Sequence, residues 1–84
     1  MALDLSPPKE FVAGMIITCT VVSDKGKPRA AVKVDGADRP TKVYWLSEAK
    51  YKILFDLPSE TKGKGGEIEV ACGEEKATHA FEIA

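Results

Sequence analysis

The stretch GMIITCTVV, residues 14–22, alternates apolar and more polar residues and sets Cys19 in the apolar series; GEIEVACG, residues 66–73, does the same with Cys72. Alternate side chains of an extended strand share a face, so Ile17, Cys19 and Val21 point together, as do Ile68, Val70 and Cys72. Both thiols therefore belong to an inward set. The pattern predicts two β-sheets meeting across one core about 10 Å thick.

The same period of two recurs along the chain. It predicts seven short strands, over residues 9–12, 15–22, 30–34, 42–46, 51–57, 67–72 and 76–83. Tyr51, Ile53, Phe55 and Leu57 form a further inward series, with Lys50, Lys52 and Asp56 outward. Val32, Val34, Phe81 and Ile83 complete the expected core. Polar turns separate the runs: SDKGKP at 23–28, VDGADRP at 34–40, PSETKGKGG at 58–66 and CGEEK at 72–76, the last able to close a hairpin. Only LSEAK, 46–50, looks locally helical, and it is too short to stand alone as a helix. Pro7 and Pro8 oppose a continuous strand or helix through them, so residues 1–8 are expected to form a partly ordered arm on one 84-residue domain.

Thirteen acidic against twelve basic residues leave a formal charge of −1, which offers no general attraction to nucleic acid or an anionic membrane. No apolar run approaches the roughly 20 residues of a membrane-spanning helix. The start, MALDLSPPKE, has no basic region followed by an apolar stretch, so the chain is read as synthesised in the cytoplasm without an evident signal peptide.

Facing strands of a sandwich can bring Cys19 and Cys72 within the roughly 4.4–6.8 Å between Cα atoms that a disulfide needs. A bridge closing that loop would stabilise by about 2–4 kcal/mol; in a reducing compartment the same two residues are read as neighbouring buried thiols. Neither flank supplies the CxxC spacing of a redox centre, and two cysteines with one histidine do not make a tetrahedral zinc site. No catalytic residue, cofactor or metal site is assigned. Asp24, Asp35, Asp38 and Asp56 fall in turns or on an outward face, and KGKGG, 62–66, does not lead from a strand into a helix as a phosphate loop does. His79 shares parity with Phe81 and Ile83 and is read as an ordinary edge residue.

Tyr44 and Trp45 are successive, so a regular strand sends them to opposite faces; Trp45, in the parity of Val43, is expected to point inward. Ile16, Val22 and Leu54 lie on the face opposite the expected core and, with Tyr44 and Trp45, are the candidate partner-facing residues.

The order of strands, with Cys19 in the second and Cys72 in the sixth, resembles an immunoglobulin-like antiparallel β-sandwich, a family in which cysteines of those strands commonly join the sheets. SDKGKPRAAVKV (23–34), YKILFDLP (51–58) and GEIEVACGEEKATHAFEI (66–83) resemble bacterial surface and bacteriophage virion modules of this fold. Trp45 lies in the fourth expected strand instead of the third, and Val70 stands where antigen-receptor domains carry tyrosine; both depart from the receptor pattern. The resemblance implies a non-enzymatic structural or interaction module on an extracellular particle or surface. Its partner would be a protein assembly such as a viral capsid, or a cell-surface protein; the alternative is a carbohydrate-binding module using an exposed aromatic.

Overall fold

The computed structural model describes residues 3–84. Eight strands form two four-stranded antiparallel sheets: β1 (Asp4–Ser6), β2 (Ile16–Val22), β3 (Arg29–Val34), β4 (Ala37–Arg39), β5 (Lys42–Ser47), β6 (Lys50–Asp56), β7 (Gly65–Cys72) and β8 (Glu75–Glu82). One sheet runs β1-β2-β6-β5 and the other β4-β3-β7-β8. The chain is an all-β, two-sheet sandwich.

Alternation places the core where the sequence puts it. Ile17, Cys19 and Val21 of β2 and Tyr51, Ile53 and Phe55 of β6 are buried from one side; Val32 and Val34 of β3, Ile68 and Val70 of β7 and Phe81 of β8 are buried from the other. Leu57, Ile83 and Phe11 close the cluster. Apart from Ser23, every wholly buried side chain identified among the described residues is apolar, so the two layers are joined chiefly by removal of hydrocarbon from water.

The N-terminal region departs from expectation. Asp4–Ser6, inside the stretch expected to be an arm, pairs with β2 through Leu5↔Val21; Met1 and Ala2 lie outside the described residues. The strand expected over 9–12 reduces to one parallel bridge, Phe11↔Ile83. Pro7 and Pro8 separate two pairings, the first on one sheet and the second at the end of the other. Backbone bonds from Ala13 N to Ala84 O (2.9 Å) and Ala84 N to Phe11 O (2.8 Å) fix that crossing, and the Phe11 ring stacks on Phe81 with centroids 4.0 Å apart.

Two turns also differ from the sequence reading. Asp35 and Gly36, both at positive φ, connect Val34 directly to Ala37, so β3 and β4 form a tight hairpin and an eighth strand appears. The LSEAK stretch is a β-turn region instead of a helical one: Glu48 has φ 46°, and the β5–β6 register shifts between Trp45 and Ser47. The long 58–66 connection contains a single 3₁₀ turn, Ser59–Thr61.

Gly66 shows how closely the second sheet packs. It pairs with Phe81, and a Cβ there would collide with the Phe81 ring and sit 2.9 Å from the Lys33 carbonyl oxygen. At Gly65 the nearest atom to such a Cβ is 3.8 Å away. Gly66→Ala is expected to destabilise by about 1–3 kcal/mol in urea unfolding, and Gly65→Ala by less than half as much. Equal effects of the two would show that the Phe81–Gly66 contact is not tight.

Candidate functional site

The two thiols share parity but not height. Cys19 is 2% exposed and pairs across to Ile53 in the middle of the first sheet. Cys72 is half-buried at the end of β7, where its Sγ lies 3.7 Å from the Gly26 carbonyl oxygen. That same oxygen accepts a 2.8 Å bond from Ser23 Oγ, just past the end of β2. Cys72 thus sits beside the turn that follows β2, whereas Cys19 lies in mid-strand. Both cysteines are free. The expected bridge is absent because alternation fixes a residue's face and leaves its level along the strand open.

Burial pushes the Cys19 thiol up to about 11, since the thiolate would be stranded among apolar side chains. Such a group is a poor nucleophile at neutral pH.

The partner-facing candidates divide by position. Ile16 is exposed on the outer face of the first sheet, with Val22 and Leu54 half-buried on that same face. Tyr44 also faces outward, in the cross-strand row Tyr44↔Lys52↔Thr20, and the Lys52 ammonium lies 5.9 Å from its ring centroid. Trp45 corrects the inward expectation: it is 63% exposed. It pairs with Tyr51, at the level of Val21 near the end of β2. The opposing edge strand β4 ends at Arg39, opposite Val32 in mid-β3, so the second sheet stops before it can cover the indole. The indole Nε1 donates to the Glu48 carbonyl oxygen at 3.0 Å and holds the ring against the turn.

Leu46, not singled out by sequence, completes a consecutive trio: Tyr44, Trp45 and Leu46 are 44%, 63% and 47% exposed. All three lie on β5, the terminal strand of its sheet. The available signal was the unbroken apolar run VYWL, residues 43–46. Because Tyr44 and Trp45 project to opposite faces, their rings do not form a shared platform of the kind that stacks on sugar.

At the start of β5 the two sheets are tied by charge. Arg39 of β4 donates from Nη2 to Asp56 Oδ1 of β6 at 2.8 Å. Asp35 and the KGKGG loop also have structural work. Asp35 lies 3.7 Å from Lys64, and the amides of Lys62, Gly63 and Lys64 donate to Ser59, Ile83 and Thr61 carbonyls. A phosphate would have to displace those bonds. His79 is half-buried, with its ring 5.9 Å from that of Phe11. Among the described residues no group of three or more His, Cys, Asp or Glu side chains is placed to hold a metal ion, and no helix is long and apolar enough to cross a membrane.

The chain matches no protein-family model and no curated protein sequence.

Because Cys19 loses its proton more readily unfolded than folded, its contribution to stability is full below the ordinary thiol range and is lost as pH rises from about 9 to about 11. The loss is on the order of 2–3 kcal/mol. Chemical denaturation across that window should show a steeper decline for the wild type than for Cys19→Ala; parallel curves would contradict the burial of this thiol.

Proposed function

We propose that the chain is a non-enzymatic immunoglobulin-like module that presents the β5 edge to a protein partner, on an extracellular particle such as a phage capsid or on a bacterial surface. The strand order supports the fold assignment. In the immunoglobulin-like family the first, second, fifth and fourth strands make one sheet, and the third, sixth and seventh make the other, with an extra strand beside the third in some members. The order β1-β2-β6-β5 against β4-β3-β7-β8 follows that plan when β4 is taken as the extra strand. The passage of the N-terminal segment from β2 to the end of β8 fits it as well.

The observation that carries the interaction reading is the Tyr44–Trp45–Leu46 run. Large apolar side chains at consecutive positions of a terminal strand cost solubility and lend nothing to the core, whereas aromatic anchors of this kind dominate protein–protein contacts. Exposed Ile16 extends apolar surface to the other end of the outer face.

The double variant Trp45→Ser, Leu46→Ser should keep the wild-type urea midpoint within the error of the measurement. Its retention on assembled phage capsids, or on a purified surface protein, should fall at least about tenfold. Undiminished retention would refute the assignment of this edge. Glycan-array binding that disappears in Trp45→Ala, with folding intact, would favour a carbohydrate-binding module instead.

A further inference from the structure

We infer that β5 accepts an added β-strand from a partner protein, and that this strand alternates acidic with apolar residues. The inference rests on the reading of the β5 edge as the partner surface and specifies how that edge is used.

The distribution of exposed apolar groups decides between a partner on a sheet face and one on the edge. A face-on partner meets only one parity of a strand; a strand added at the edge meets both. Tyr44 and Leu46 are of one parity and Trp45 of the other, yet all three are exposed. The remaining edges are less suited. β1 and β4 have three residues each, and β8, eight residues long with the Phe11↔Ile83 bridge just past its end, exposes no large apolar side chain. β5 has six residues, and the register shift after Trp45 limits the regular part to Lys42–Trp45. A short extended segment matches that length.

Charge selects the occupant. Residues 42–56 hold three lysines, Lys42, Lys50 and Lys52, none with an ion-pair partner among the described residues. Of the two carboxylates in the same hairpin, Asp56 is engaged by Arg39, which leaves Glu48. The three lysines share the outward parity of Tyr44: Lys42 lies two residues from it, Lys52 pairs with it, and Lys50 is two residues from Lys52. The outward positions of an incoming strand therefore lie beside Lys42 and Tyr44 of β5, with the long side chains of Lys50 and Lys52 on β6 one strand behind, while its inward positions lie beside Val43 and Trp45. Carboxylates on the first set and apolar side chains on the second satisfy both. A second copy of this chain docked β5 to β5 would instead bring two sets of three lysines together, which charge disfavours.

The test is a titration of the full 15N-labelled chain with the peptide acetyl-(Glu-Val)3-amide, followed by NMR. Shifts are expected at 42–46 and 50–52, with slowed exchange of β5 amides. The lysine counterpart, acetyl-(Lys-Val)3-amide, should bind at least about tenfold more weakly. N-methylation of alternate peptide amides, in the register that faces β5, should abolish binding because an added strand is held by main-chain hydrogen bonds. Shifts centred on β1, β4 or β8, equal binding of the two peptides, or β5 shifts that follow protein concentration without peptide would each overturn the inference. If the acidic peptide leaves β5 unperturbed while Trp45→Ser, Leu46→Ser still abolishes retention on the larger partner, strand addition is refuted and the interaction surface stands.

Discussion

The apolar inner faces of β2 and β6 are buried against those of β3 and β7, and the remaining geometry follows from that burial. Ile53, Val21, Ile68 and Val70 are completely inaccessible to water. Each fully buried aliphatic side chain of this size contributes about 1.5–3 kcal/mol relative to exposure, so even a few outweigh the modest ion pairs distributed over the surface. A one-residue slip would turn a strand's apolar series outward and bring inward the threonines of β2, the lysines of β3 and β6 or the glutamates of β7. The register is held for that reason, and it fixes which strand lies at each edge.

The inner faces were legible from the sequence because period two is a property of the backbone and needs no knowledge of tertiary neighbours. Coverage and height along a strand are not such properties. Trp45 has the parity of Val43, but whether an inward side chain is buried depends on where the opposite sheet ends, and β4 stops at Arg39. Cys72 has the parity of Val70, yet it sits beyond the level of Cys19, beside the Gly26 carbonyl. Short elements escaped for another reason: three residues, as in Asp4–Ser6 or Ala37–Arg39, contain too little alternation to read. The Asp35–Gly36 turn was visible as a turn, but its consequence, a strand folding back on β3, required the pairing Val34↔Ala37.

The surface assignment shows the same division. Tyr44, Trp45, Ile16, Val22 and Leu54 could be named from parity and residue type, whereas their joint meaning depends on β5 being last in its sheet. An edge strand keeps one row of amide and carbonyl groups outside the ladder, and proteins usually shorten, charge or cover such edges. Here the bulge after Trp45, the flanking Lys42 and the neighbouring Lys50 and Lys52 restrain the edge without removing its apolar run. Those features limit pairing with like-charged strands and leave it available to a complementary one.

Residue-resolved amide hydrogen exchange on the isolated chain at low concentration tests the arrangement most directly. Amides in β2, β3, β6 and β7 are expected to exchange only through near-global unfolding, while β5 shows alternation between protected amides bonded to β6 and rapidly exchanging ones that face outward. Uniform protection along Lys42–Ser47, or rapid exchange through the interior of β2 and β7, would contradict it.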